Sequence, residues 1–225
     1  MTRREWLIAV AAAAAGCNSE RPQRGFLGVM DRWNLRVQSA LFRPSRRARE
    51  LGPGAETPAG EFPEYFVSSS VPIAPAGWAL RTGGLVARPM VLRLEDLQRM
   101  PRTEVRVRHH CVEGWSAVAS WHGVQMSQLA ERVGASPRAR FVEFRSFDVD
   151  YSSSWDRESA EHSQTILAYG MNGRPLAPGN GAPLRLYAGV KLGYKMVKYL
   201  TEVNFLDHPT GGYWEDRGYE WYAGV

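Results

Sequence analysis

The 225-residue sequence predicts one α+β domain in which short strands outnumber short helices. Residues 104–108 and 140–146 alternate apolar and polar side chains, a period of two that is typical of strands with one buried face. Helical patterns are brief, and the one at 95–100 ends before Pro101. Hydrophobic residues make up 44% of the chain, enough for one core. We expect the domain to occupy residues 61–225.

Residues 1–17 have the features of an export signal and are not expected to join the fold. The stretch that begins Thr2-Arg3-Arg4 resembles a twin-arginine signal, and the apolar run at 7–15 is too short to span a bilayer. The segment that ends at Cys17 resembles a lipoprotein cleavage box with Ala in place of the usual Leu, which leaves lipid anchoring open. The expected location is the periplasm or the outer face of the cytoplasmic membrane.

Residues 18–60 are expected to form an arm and a linker. Within Gly25–Phe42, four large apolar residues recur at helical spacing: Met30, Trp33, Val37 and Leu41. This pattern predicts an amphipathic helix, and we favour packing over the domain to attachment to a membrane surface. Residues 43–60 are rich in Arg, Pro and Gly and predict an extended linker.

Inside the domain, apolar runs within Trp78–Leu92 predict two strands joined through the Gly-Gly pair at 83–84. Ser127 is a candidate cap for a helix that ends at Gly134. Residues 151–162 are polar and predict a loop near the mouth of a pocket.

The net charge is +5, yet the arginines are dispersed and no nucleic-acid-reading motif is present. We therefore exclude nucleic acid as a partner. Positive charge is more consistent with attraction of anions or with a location at the cell surface.

Cys111 follows the strand predicted at 104–108, and the alternation places it on the inward face with Val105 and Val107. The other cysteine, Cys17, lies in the leader, so Cys111 lacks a disulfide partner. One interpretation is a small buried core residue. A zinc site with His109, His110 and His122 is disfavoured because adjacent strand residues point to opposite faces.

The segment Cys111-Val-Glu-Gly-Trp-Ser116, followed by Trp121-x-Gly-Val, resembles the molybdenum-ligand segment of the sulfite oxidase-like molybdopterin enzymes. The nearest resemblance is to the bacterial branch that includes the catalytic subunit of periplasmic methionine sulfoxide reductase. It implies a mixed β-sheet fold and a molybdenum–molybdopterin cofactor. It also implies that the Cys111 thiolate binds the metal, a soft-ligand use of sulfur. Twin-arginine export suits such a chain, because that route carries proteins that are already folded.

A second motif runs from Met171 to Lys198. From its residues alone it predicts a hairpin and a basic strand, which could be an ordinary solvated face. The resemblance implies cofactor contacts in this motif and in two earlier segments. These predicted cofactor-binding residues are Phe66, Val67, Ser68, Ser146, Asn180, Arg185, Met196, Val197 and Lys198. The two cations would supply charge for a phosphate.

The resemblance also implies an oxidoreductase that transfers an oxygen atom. Four side chains are expected with Cys111 around the open coordination position: His110, Trp115, Tyr151 and Tyr194. Sulfite oxidases carry Asn-Arg-Arg after the ligand cysteine, whereas this chain has Gly114-Trp115-Ser116. Loss of those positive charges favours a neutral substrate, an S-oxide or an N-oxide.

Two alternatives stay open: a sulfite or other oxyanion oxidase, and a cofactor-free binding lipoprotein. The chain leaves no room after the motifs for an immunoglobulin-like or haem-binding domain. We therefore expect a monomer that depends on a separate electron carrier. That carrier would be a haem- or quinone-linked membrane subunit, or a cytochrome c.

Overall fold

The computed structural model describes residues 25–43, 45–58 and 60–225. The leader predicted at 1–17 and its cleavage box lie outside the described residues, so export stays a prediction. Within the described ranges, no helix combines the length and the apolar character needed to cross a membrane.

The described residues form ten strands and four α-helices, joined by turns and short 3-10 segments. In chain order they are α1 (Gly25–Leu41), β1 (Leu80–Gly84), β2 (Val91–Leu92), α2 (Leu94–Gln98), β3 (Arg102–His110), β4 (Ser116–Gln125), α3 (Met126–Val133), β5 (Phe141–Ser146), β6 (Ser152–Asp156), α4 (Arg157–Ala160), β7 (Thr165–Met171), β8 (Arg174–Pro175), β9 (Arg185–Ala188) and β10 (Leu200–Leu206). The predicted strand at 140–146 and the short helix at 95–100 are confirmed.

The first sheet has the strand order β2-β1-β10-β5-β6. β1 pairs with β10 in parallel, while the other pairings are antiparallel. Because β1 and β10 are the first and last strands of the chain, this parallel pairing joins the two ends of the domain. The α+β class and the mixed sheet are confirmed.

The second sheet has the order β3-β4-β7-β8, with β9 also pairing to β7, and it is antiparallel. β3 and β4 form a long hairpin whose last pair is His110 with Ser116. The turn that closes this hairpin carries Cys111, whose amide donates to the Trp115 carbonyl at 3.0 Å. The hairpin therefore sets the position of the cysteine.

Two hydrophobic clusters cover the two faces of the second sheet. The larger one joins residues of the first sheet and α3, such as Phe144 and Leu129, to residues of β7 and β9. The smaller one contains Val105, Val107 and Trp121, and Phe62 packs against it. Burial on both faces explains why β4, β7 and β9 are almost continuously buried.

The Gly-Gly pair at 83–84 ends β1 and does not join two strands as predicted. The pair forms the last two residues of β1, and the apolar run at 85–87 follows as irregular chain. Gly84 has a φ of 76°, and a Cβ there would lie 2.1 Å from the carbonyl oxygen of Phe205. The glycine is needed because β10 approaches too closely for a side chain.

The loop predicted at 151–162 is wrong, since this segment forms β6 and α4. Ser153 and Ser154 of β6 are buried, and Ser153 donates a hydrogen bond to Glu215 at 2.5 Å. This polar strand is stable in the core because a carboxylate that is distant in sequence accepts a hydrogen bond from it. The helix end at Gly134 is confirmed, but the N-cap of α3 is Gln125 and not Ser127.

The predicted N-terminal helix is confirmed as α1, but it packs through a different face. Gly28 is buried, and Phe42, just after the helix, makes edge contacts with the rings of His162 and Tyr222. By contrast, the predicted apolar stripe is largely exposed, with Trp33 at 57%. Residues 45–58 then run in extended form beside the second sheet.

Candidate active site

An open cavity lies beside the turn between β3 and β4. Cys111 and Trp115 enter it from this turn, and Arg185 enters from β9. Tyr194 and Lys198 line it from the segment that leads into β10. The two sequence motifs, which are far apart along the chain, thus meet around one cavity.

Cys111 is half-buried at the cavity wall, in step with the inward-facing residues of β3. Burial raises the pKa of its thiol. The sulfur lies 3.7 Å from Oε2 of Glu113, and the same oxygen accepts a hydrogen bond of 2.9 Å from Nε1 of Trp115. A metal bound here would displace the thiol proton, since the thiolate is the ligand form.

No group of three or more His, Cys, Asp or Glu side chains that could hold a metal occurs among the described residues. The disfavoured zinc site therefore has no geometric support. A metal at Cys111 would need further ligands from a bound organic group.

His109 occupies the place that was expected for His110. The burial pattern of β3 places His109 inside, only 6% exposed, and His110 outside. His109 lines the cavity and His110 does not, because neighbouring strand residues point to opposite faces. Burial and the charge of Arg185 lower the pKa of His109 to about 3, so its imidazole stays neutral.

Trp115, Tyr151 and Tyr194 line the cavity, and their position around a metal stays a prediction. The hydroxyl of Tyr151 donates to the Tyr194 carbonyl at 2.6 Å, and that of Tyr194 donates to the Glu220 carbonyl at 2.5 Å. Both phenols are therefore held by backbone oxygens. Burial raises the pKa of Tyr151 well above its usual value, so this residue serves as a neutral wall.

Two cations, Arg185 and Lys198, line the cavity. Arg185 is 5% exposed, donates to the Asn180 carbonyl at 2.9 Å and lies with its Cζ 4.6 Å from the Trp121 ring centroid. Burial lowers its pKa to about 10. Lys198 donates to the Gly179 carbonyl at 2.6 Å, and burial together with Arg185 lowers its pKa to about 7. Neither cation has a carboxylate partner in the described ion pairs.

The serine-containing segment after Tyr65 is held by Asp148. This buried carboxylate accepts hydrogen bonds from the amides of Val67, at 2.9 Å, and Ser68, at 3.2 Å, and from the Ser68 hydroxyl. The Ser146 hydroxyl in turn accepts from the Asp148 amide at 2.8 Å. Asp148 thus joins two of the predicted cofactor segments.

Of the predicted cofactor-binding residues, six line the cavity beside Cys111: Phe66, Val67, Ser146, Arg185, Met196 and Lys198. Ser68, Asn180 and Val197 do not line it. Asn180 contributes its carbonyl to Arg185, and Val197 is fully buried in the larger hydrophobic cluster. A backbone contact of these three residues with the cofactor stays a prediction.

Several lining residues were not predicted from the sequence, including Tyr65, His109, Glu113, Asp148, Tyr199 and Trp214. The strand alternation could have identified His109, and Glu113 lies within the cysteine motif. The aromatic residues near the C-terminus carry no local signal, because only tertiary packing brings Trp214 next to Tyr65, with ring centroids 6.2 Å apart.

Buried polar atoms around the cavity lack partners and fit a polar organic anion. Among the described residues that line the cavity, Nδ1 of His109, Nε of Arg185 and the hydroxyl of Tyr199 have none. Such groups are costly unless something hydrogen-bonds to them. Molybdopterin offers a phosphate for the cations and ring nitrogens and oxygens for the neutral groups. The residues present therefore fit this cofactor.

Comparison with known proteins identifies the family of this chain. Residues 68–214 match the family model described as an oxidoreductase molybdopterin binding domain. A protein of Azospira oryzae named "Putative protein-methionine-sulfoxide reductase subunit YedZ1" is 36% identical over 197 residues, covering 87% of this chain and 75% of that protein.

The protein-methionine-sulfoxide reductase catalytic subunit MsrP of Xanthomonas axonopodis pv. citri is 33% identical over 154 residues, covering 62% of this chain and 48% of that protein. The chain thus spans about half the length of this relative. The sulfane dehydrogenase SoxCD of Paracoccus pantotrophus has a similar fold, with a TM-score of 0.56 at 24% identity over 59% of this chain and 39% of that one. The chain therefore belongs to the family of molybdopterin-binding oxidoreductases.

Proposed function

We propose that the protein is an exported molybdenum–molybdopterin enzyme that reduces an S-oxide, with methionine sulfoxide in proteins as the preferred substrate. The observation that carries this proposal is the surrounding of the Cys111 thiol, which combines aromatic rings with the carboxyl group of Glu113. Trp115 and Tyr151 line the cavity with it, and Oε2 of Glu113 lies 3.7 Å from the sulfur. A carboxylate beside the reacting centre disfavours an anionic substrate such as sulfite.

The orientation of Arg108 supports the same conclusion. Arg108 is the arginine nearest to Cys111 in sequence and is therefore the residue that could compensate for the missing positive charge. It is exposed on the outer face, where it donates to the Ser116 hydroxyl at 3.2 Å. The cations that do line the cavity, Arg185 and Lys198, are assigned to the cofactor phosphate.

Reduction of a sulfoxide to a thioether consumes two electrons and two protons and releases one water. When bound, the molybdenum–molybdopterin group supplies the two-electron chemistry. Cys111 would hold the metal, and Arg185 and Lys198 would hold the phosphate. Glu113, whose Oε2 lies 3.7 Å from the Cys111 sulfur, would relay protons to the reacting centre. The aromatic walls would exclude water and contact the thioether sulfur.

The names of both relatives describe a subunit, which supports a separate electron-carrying partner for this chain. We propose a haem- or quinone-linked membrane subunit, or a cytochrome c, as that partner. The twin-arginine-like leader supports assembly of the cofactor in the cytoplasm and activity in the periplasm or at the outer face of the cytoplasmic membrane.

Metal analysis and a reduction assay test this proposal. Wild type, Cys111→Ser and the control Arg108→Gln are purified from a host that makes the cofactor. Molybdenum and pterin are measured, together with methionine sulfoxide reduction by reduced benzyl viologen. We expect about one molybdenum per chain and turnover in wild type and Arg108→Gln. In Cys111→Ser the metal should be lost or altered, and turnover should fall at least about 100-fold.

Folded wild type without molybdenum or pterin would contradict the proposal and favour a binding lipoprotein. Sulfite oxidation that exceeds sulfoxide reduction and that falls in Arg108→Gln would favour the oxyanion oxidase. Turnover of trimethylamine N-oxide without turnover of any sulfoxide would move the substrate to the N-oxides.

A further inference from the structure

One side of α1 is an exposed apolar surface. Five large residues form it: Phe26 (75% exposed), Val29 (53%), Met30 (42%), Trp33 (57%) and Leu41 (69%). At 100° per residue they fall within one arc of the helix, and the arc contains no charged residue. We call these five residues the apolar face of α1. At 1.5 Å per residue the helix is about 25 Å long.

The opposite side of α1 already contacts the domain, so the apolar face cannot pack against the domain at the same time. Gly28 is buried and Leu35 is half-buried on that opposite side. Phe42 follows in the same direction, with its ring centroid 6.1 Å from those of His162 and Tyr222. Turning the apolar face inward would break these contacts.

Positive charge is concentrated around this helix. Residues 25–49 contain six arginines and one aspartate, whereas residues 50–225 contain 18 basic and 20 acidic residues. Arg32 and Arg36 lie one helical turn apart beside Val29 and Trp33, and both are exposed. The four other arginines, between 43 and 49, are also exposed. The basic character of the whole chain is therefore confined to the vicinity of the apolar face and to residues before it.

We propose that α1 docks in the plane of an anionic lipid bilayer. The apolar face would enter the boundary between headgroups and acyl chains, with Trp33 at the depth that tryptophan favours, and Arg32 and Arg36 would contact lipid phosphates. A helix with a large apolar face and flanking arginines is typical of such surface binding. Charge complementarity favours lipid over a protein partner, since each arginine near an anionic surface adds to binding. This docking requires neither the proposed reaction nor a lipid on Cys17.

Vesicle flotation tests the proposal on the cofactor-loaded chain from Asn18 onward, which omits the leader and Cys17 and keeps every described residue. The vesicles contain phosphatidylcholine alone or mixed with phosphatidylglycerol. We expect binding to the anionic vesicles and at least about tenfold weaker binding without phosphatidylglycerol or in high salt. The double variant Phe26→Ser/Trp33→Ser should bind at least about tenfold more weakly. Arg32→Gln/Arg36→Gln should lose a similar factor.

Val91→Ser is the matched control, because Val91 is a 68% exposed valine on β2, away from α1. It should bind like wild type. All variants should keep wild-type melting temperatures and reduce sulfoxide in solution at the wild-type rate, so a failure of docking and a failure of the proposed function are distinguishable. Absence of vesicle binding, or equal binding by wild type and Phe26→Ser/Trp33→Ser, would overturn the proposal. A concentration-dependent dimer that this double variant dissociates would assign the face to a second copy instead.

Discussion

Replacing Arg185 by methionine separates its role toward the cofactor from its role in the fold. Burial lowers the pKa of Arg185 from 12.5 to about 10. A tenfold change in proton affinity corresponds to about 1.4 kcal/mol. Keeping this charge buried therefore costs the cofactor-free protein about 3 kcal/mol. Methionine removes that cost and retains most of the apolar stem.

The substitution also removes two favourable contacts in the cofactor-free protein. The approach of the guanidinium to the Trp121 ring is worth about 1 to 2 kcal/mol, and the hydrogen bond to the Asn180 carbonyl is worth a similar amount. These losses nearly cancel the gain. We therefore expect the stability of cofactor-free Arg185→Met to lie within about 1 kcal/mol of wild type.

The loaded protein should respond differently, because a charged hydrogen bond to a phosphate is worth about 2 to 3 kcal/mol. The corresponding fall in melting temperature is about 4 to 12 °C for a chain of this size. Thermal unfolding followed by circular dichroism, with and without bound cofactor, measures both values. Arg174→Met, on the exposed β8, is the control. Equal destabilisation of the two forms would refute a role in cofactor binding.

Three further predictions concern the cavity. Asp148→Asn should cost about 1 to 3 kcal/mol of stability and speed pterin release, because the side-chain amide of the new asparagine accepts the Ser68 hydrogen bonds poorly. A pterin release rate, followed by fluorescence, that equals that of wild type would contradict this. The pKa of Lys198 is lowered to about 7 in the folded protein from an unfolded value of 10.5. Between these two pH values the Lys198 side chain holds its proton only in the unfolded chain, so the stability of the cofactor-free protein should rise with pH. Denaturant titrations at several pH values should show a smaller rise in Lys198→Met. His109→Ala should lower the free energy of unfolding by about 2 to 4 kcal/mol and reduce the amount of bound pterin. His110→Ala should change the free energy of unfolding by no more than about 0.5 kcal/mol. Equal effects of the two substitutions would argue against the observed orientation.

Local pattern predicted correctly those features that depend on neighbours in the chain. The alternation of β3 placed Val105 and Val107 inside and Cys111 in step with them, because the period of a strand is fixed by its backbone. The same alternation places His109, two residues before Cys111, on the inward face and His110 on the outer face. Gly134 was predicted as a helix end because its left-handed conformation favours glycine, and its φ is 64°.

Features that depend on distant partners were not predictable in this way. The run of serines in β6 is typical of a loop in sequence. Ser153 is nevertheless buried, because Glu215, about 60 residues later, accepts its hydrogen bond. The face through which α1 packs also could not be chosen, since its apolar stripe is compatible with either the domain or a lipid surface.

By itself, the sequence determined the fold class, the cysteine motif and the cations of the second motif, because each is encoded in spacing along the chain. Only the tertiary structure decided which of these side chains share one cavity. It brought Cys111, Arg185 and Lys198 together, excluded His110 and Val197, and added Asp148 and Trp214. The physical reason is that cavity walls are assembled from side-chain directions across two sheets, and those directions are set by long-range strand pairing.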